Sequence, residues 1–203
     1  MCFNVGYTTA PHQFQRRLQQ FRDTSEAVRT WIDKIPKEKW SQAWDNGRRY
    51  GHMTTNLSEC INKILKGAWN FPITALVKCT YYRMVEYFVR RSSQAATEAQ
   101  AGQRFCTKLV EVMHRNQEDA CSHQVRSYDH QSTKFEVTEK FNPVTLKGGR
   151  TWSLKLNEYY CQCGKFQAYR YPCSHVLAAC AAVHIDAWQF VDPVYSMEYV
   201  INA

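Results

Sequence analysis

The sequence predicts an α+β fold, and three features predict it. Apolar residues recur at helical spacing from Phe14 to Met113. From Phe135 the period shortens to two, as in half-buried strands. Immediately after that change Cys161, Cys163, Cys173 and His175 crowd into one short stretch, CQCGKFQAYRYPCSH. The chain therefore divides into a helical region at 1–125, a small β-rich module at 134–185 and a C-terminal tail at 186–203.

The helical elements follow in order. Phe14, Leu18 and Phe21 fall at i, i+4 and i+7 and give a first helix. Ala27, Val28, Trp31, Ile32 and Ile35 give a second, stopped by Pro36. WSQAW at 40–44 reads as a helical turn. Leu57, Cys60, Ile61, Ile64, Leu65 and Ala68 form an apolar stripe that Phe71-Pro72 breaks. Ile73, Leu76, Val77, Met84, Val85 and Phe88 carry a long helix to about Arg91, and the polar run at 92–103 reads as a connector or a frayed end. Phe105, Leu109, Val112 and Met113 mark the last helix of this region.

In the second part Phe135 and Val137 alternate with polar neighbours. Val144 and Leu146 precede Gly148-Gly149, a hairpin-type turn, and Trp152, Leu154 and Leu156 alternate beyond it. Cys161 and Cys163 are two apart, so on a strand end both thiols face one side. Gly164 permits a sharp turn, Pro172 stiffens the return, and HVLAACAAV starts a helix that puts His175 in its first turn. Such a set can close a tetrahedron around one structural Zn²⁺, with Zn–S near 2.3 Å and Zn–N about 2.0–2.1 Å. Four protein ligands fill the shell, which excludes a hydrolytic zinc. The spacing is CxC with CxH and not CxxC, which argues against a redox pair. Cys121 and His123 repeat the CxH spacing without a CxC companion. Cys180, on an alanine-rich stretch, reads as a small packed apolar residue.

Composition bounds the rest. The chain has 203 residues and a net charge of +8, which fits a nucleic-acid partner or a solvated basic face. Its 44% hydrophobic content supports a core and excludes a disordered chain. No apolar run reaches the roughly 18 residues of a membrane span, and no signal-peptide pattern is present. The nine cysteines are odd in number and are expected to be reduced, hence available for metal.

The CxC-x9-CxH pattern at Cys161, Cys163, Cys173 and His175 resembles the SWIM-type zinc finger, which has a ββα fold. CGKFQAYRYPCSHVLAAC is similar to the fingers of plant Mutator-like (MuDR family) transposases. The resemblance implies a module that binds DNA or protein, in the nucleus. A second segment, RRYGHMTTNLSECINKILKGAWNFPITAL at 48–76, resembles the part of those transposases that carries Asn-x-x-Glu. The resemblance makes Glu59 the third acid of an Asp-Asp-Glu triad, which holds Mg²⁺ only when complete. Asn56 and Glu59 also fit a helix capping box, and Glu59 with Lys63 an i, i+4 pair. The family's two aspartates lie upstream on strands. Here no β-rich segment precedes Glu59, and Asp23, Asp33 and Asp45 fall in helical or turn contexts. The chain therefore resembles only the C-terminal part of such an enzyme, and is expected not to cut or join DNA by itself. The alternatives are part of an active transposase completed upstream, or a domesticated regulator similar to far-red-impaired-response proteins that uses the finger for a protein partner. Candidate DNA contacts are Lys147, Arg150, Lys155, Lys165, Tyr169 and Arg170: cations for phosphates, the tyrosine for stacking, with solvated loop charge as the other reading.

Overall fold

The computed structural model describes residues 5–53, 62–68, 70–129, 133–141, 143 and 148–202. Glu59, Asn56 and Lys147, and the strand expected at Val144–Leu146, lie outside the described residues. The chain forms two compact units: Met1–Met53 with Glu111–Asp192, and Thr54–Val110 with Pro193–Ala203. The compact units cut across the sequence boundaries, because the N-terminal helices group with the β-rich part.

In the first unit, helix α1 spans Pro11–Arg22 and helix α2 spans Glu26–Asp33. Pro11 occupies the first helical turn, where a missing N–H costs nothing. Phe14 and Leu18 of α1 meet Ile32 of α2 and Val5 in a buried cluster, against which Phe21, Trp40, Ala43 and Trp44 pack. The Phe14 and Trp40 rings stand 5.4 Å apart. Arg22 of α1 pairs with Asp33 of α2. Trp31 does not join this core: its side chain is exposed, because α2 is only two turns long and Ile32 already faces α1. Two 3-10 turns follow, Lys37–Lys39 and Gln42–Trp44.

The β-rich part is larger than a ββα finger. It holds a four-stranded antiparallel sheet of β1 (Gln124–Asp129), β2 (Lys134–Thr138), β3 (Thr151–Lys155) and β4 (Tyr160–Cys161), in sequential order. β1 carries no alternation, QVRSYD, so periodicity did not reveal it. It forms by pairing with β2, Val125 opposite Val137. Across the sheet Phe135 faces Leu154, Val137 faces Trp152, and Leu154 faces Cys161. These residues share one buried face. Helix α5 (Lys165–Tyr169) follows β4, and helix α6 (Ser174–Ala182) packs on β1, β2 and β3. Cys180 is buried on α6 among small apolar neighbours.

In the second unit helix α3 runs over Ile73–Gln100, through the polar stretch read as a connector. That stretch is rich in Ala and Gln, which are strong helix formers, and Gln94 and Glu98 pair one turn apart. The helix stops where Gly102 adopts a left-handed conformation after Ala101. Ile73, Val77, Tyr81 and Phe88 are exposed along it. The C-terminal residues form helix α7 (Met197–Asn202), which packs against α3. Helix α4, Thr107–Ala120, belongs to the second unit up to Val110 and to the first from Glu111. No described helix is long and apolar enough to cross a membrane.

Candidate metal centre

β4 ends at Cys161, whose side chain points to the buried face shared with Leu154. Its backbone is held from both sides by one side chain. The Gln167 amide accepts from Cys161 N–H at 3.2 Å and donates to Cys161 C=O at 2.9 Å, filling the place of a missing strand. Gly164 then turns the chain with φ +76°, donating to Cys161 C=O at 2.8 Å. A β-carbon at Gly164 would run into the Thr9 carbonyl, and Thr9 Oγ1 donates to Cys163 C=O at 2.9 Å. The segment before α1 thus lies directly on the cysteine turn. On the return, Asn116 of α4 donates to Pro172 C=O at 3.0 Å and fixes the approach to Cys173 and α6.

These elements bring the four predicted ligands together. Cys161, Cys163, Cys173 and His175 are all buried, and their ligand atoms all lie within 4.8 Å of one another. Cys163 and Cys173 sulfurs are 3.6 Å apart; His175 Nδ1 is 3.7 Å from the sulfurs of Cys161 and of Cys173. A tetrahedron with Zn–S of about 2.3 Å and Zn–N of about 2.05 Å has edges of about 3.8 Å between sulfurs and about 3.6 Å from sulfur to nitrogen. The donor set therefore fits Zn²⁺ in type and number, and these three separations match the edges of the tetrahedron.

The electrostatics point the same way. Hydrogen bonding to Cys163 and burial raise the Cys161 thiol, and burial raises the Cys173 thiol well above its ordinary value. Hydrogen bonds from Cys161 and Cys173 hold Cys163 well below it. Three adjacent negative charges in a buried site repel one another, which opposes ionisation of all three thiols at once. A divalent cation removes that conflict and displaces the remaining protons. Burial lowers the His175 pKa, but the Cys163 sulfur and the Glu139 carboxylate outweigh it and raise it.

Residues 144–184 match the SWIM zinc finger family. No curated protein and no solved structure matches the chain. The four candidate ligands sit on β4, on the turn after it and at the start of α6. Around them are residues that sequence reasoning missed. Glu139 Oε1 lies 3.0 Å from His175 Nε2 and accepts from Trp152 Nε1 at 2.8 Å. The His123 ring lies nearly parallel to that of His175, centroids 5.2 Å apart and planes at 18°, and its Nε2 meets Ser174 Oγ at 3.1 Å. Burial and the neighbouring His175 lower the His123 pKa, against Glu139 and Asp119. The CxH echo at Cys121 and His123 thus adds no ligand: Cys121 is an exposed thiol, and His123 is a packing partner of one. Glu139 meets His175 because α6 packs on the sheet, so no local signal marks it.

The candidate DNA contacts have different surroundings. Arg150 and Lys165 are exposed. Lys155 bonds Glu158 at 2.7 Å. Arg170, in a left-handed conformation, pairs with Asp192 at 3.2 Å and stacks its guanidinium 5.0 Å from the Tyr50 ring centre. Tyr169 stacks on Tyr171 at 5.6 Å and lies against Gly51, where a side chain would collide with its ring. Arg170 and Tyr169 therefore fasten the finger to the loop at 46–51.

Proposed function

We propose that this chain is a zinc-dependent nucleic-acid-binding protein derived from a Mutator-like transposase, acting in the nucleus without strand-cutting activity of its own. The observation that carries the zinc part is the buried quartet of three thiols and one imidazole at tetrahedral spacing. Four protein ligands leave no open position for a substrate or an activated water, so the metal holds the finger together. The nucleic-acid part is supported by the +8 net charge and by the exposed Arg150 and Lys165 on the finger. Lys147 is a further phosphate contact in this reading. Glu59 is the remaining acid of the family triad in this reading, and one carboxylate cannot position two Mg²⁺ ions.

A second reading is a domesticated regulator that binds another protein. The exposed apolar residues of α3, Ile73, Val77, Tyr81 and Phe88, favour it.

Titrating duplex and single-stranded DNA at several salt concentrations tests the first reading. Purified wild-type chain should hold one zinc, Cys121→Ala should keep it, and Cys163→Ser should lose it. Binding should weaken steeply with salt, since neutralised phosphates release counterions. It should also weaken in Cys163→Ser and in the Arg150→Glu, Lys165→Glu double variant. Absence of binding at low salt, or equal binding by all four proteins, rejects the nucleic-acid reading and leaves the protein-partner one.

A further inference from the structure

The imidazole of His175 has two faces to satisfy and two nitrogens to assign. Nδ1 points at the sulfurs of Cys161 and Cys173, 3.7 Å from each. Nε2 points the other way, 3.0 Å from Glu139 Oε1. An imidazole that gives its lone pair to a metal through one nitrogen must carry its proton on the other. Among the described residues, the acceptor at hydrogen-bond distance from that nitrogen is the Glu139 carboxylate.

We propose that Glu139 is the positioning carboxylate of the zinc site, accepting the Nε2 proton of His175 and thereby committing Nδ1 to the metal. The inference rests on the zinc reading of the quartet. Glu139 is well placed for the task because it is itself held. Its N–H donates to Arg150 C=O at 2.9 Å and its C=O accepts from Gly149 N–H at 3.0 Å, so the end of the β2–β3 hairpin fixes its backbone. Trp152 Nε1 donates to the same carboxylate oxygen at 2.8 Å, which fixes its side chain. The turn that makes this possible needs glycine: a β-carbon at Gly148 would collide with the Lys140 carbonyl. The rings of His123, 5.2 Å away, and Trp152, 5.6 Å away, pack against the imidazole and limit its rotation. His175 is 4% exposed, so water does not compete for Nε2. A carboxylate on the outer nitrogen orients the ring and makes the inner nitrogen a stronger donor to the metal.

The test uses the full chain and Zn²⁺ itself. Competition against a chromophoric chelator gives zinc affinity for wild type, Glu139→Ala, Glu139→Gln and Glu136→Ala. Glu139→Ala should bind zinc about 10–100-fold more weakly. Glu139→Gln keeps an acceptor oxygen but not the charge, and should fall between wild type and Glu139→Ala. Glu136→Ala removes a neighbouring carboxylate that alternates to the other side of β2, and should stay within about threefold of wild type. Long-range ¹H–¹⁵N correlation of the imidazoles gives a second readout on wild type alone, with Nε2 of His175 protonated and Nδ1 carrying the metal-bound shift. Three results overturn the proposal: wild-type affinity in Glu139→Ala, an equal loss in Glu136→Ala, or coordination through Nε2. If Glu139→Ala does not fold, wild-type affinity in Glu139→Gln together with the wrong tautomer overturns it equally. Failure of wild-type chain to bind zinc at all is a different outcome and rejects the underlying zinc reading.

Discussion

Replacing Gly164 by alanine tests how tightly the N-terminal segment is joined to the metal centre. Gly164 has φ +76°, and its missing side chain is the space that the Thr9 carbonyl occupies, with Ala10 N 2.9 Å from where a β-carbon would stand. A left-handed conformation costs an L-residue about 1–2 kcal/mol. Relieving the collision by moving one backbone against another costs about 1–3 kcal/mol, as for overpacking. Moving Thr9 also breaks its bond to Cys163 C=O, which contributes about 0.5–1.5 kcal/mol. Gly164→Ala should therefore destabilise the zinc-loaded unit by about 3–6 kcal/mol. Gly149→Ala is the control. It has φ +72°, yet the nearest atom to its β-carbon would be Phe141 Cβ at 3.4 Å, an ordinary contact. Its effect should be the conformational part alone, about 1–2 kcal/mol. Urea unfolding in excess zinc, followed by far-UV circular dichroism, measures both. Equal destabilisation by the two variants would mean that Thr9 does not press on the cysteine turn, and the close packing argued for the N-terminal segment would fall.

Two further outcomes follow from the same packing. Chelating the zinc should raise amide hydrogen exchange in residues 161–182 and also in α1 and α2, because Thr9, Tyr50 and Gly51 rest on the finger; unchanged protection over residues 11–33 would show that the finger unfolds alone. Burial, with Asp186 adding to it, pushes the Cys180 thiol up to about 12, so at pH 8 only about one molecule in ten thousand carries the thiolate there. Iodoacetamide should therefore modify exposed Cys121 and spare Cys180 until the protein is denatured; rapid native labelling of Cys180, read by peptide mass, contradicts that burial.

Which parts of this were legible in the sequence depends on how local the signal was. The ligand quartet was legible because strand spacing, a glycine turn and a helix start lie within one short stretch. Helices α1 and α4 were legible from Phe14 and Leu18, and from Leu109 and Met113, because each buries a regular face. The end of α3 was misplaced because its last turns carry no apolar stripe and rest on propensity and side-chain pairs. Strand β1 was missed because its order comes from its partner and not from its own pattern. Glu139, Gln167 and Thr9 were invisible for one reason: each acts on a ligand through a hydrogen bond that chain folding creates. The grouping of residues 5–53 with the finger was equally hidden, since helical periodicity says which face is buried but not what buries it.

Thr9 and Cys163 are 154 positions apart. On a ribosome adding about 5–20 residues each second, roughly 8–30 s separate the synthesis of these two residues. For that interval the N-terminal helices exist without the surface they are built to meet, with Tyr50 and Gly51 lacking their finger partners. The nascent chain must therefore stay soluble while this unit is unfinished, and on the zinc reading the last step also waits on the supply of metal.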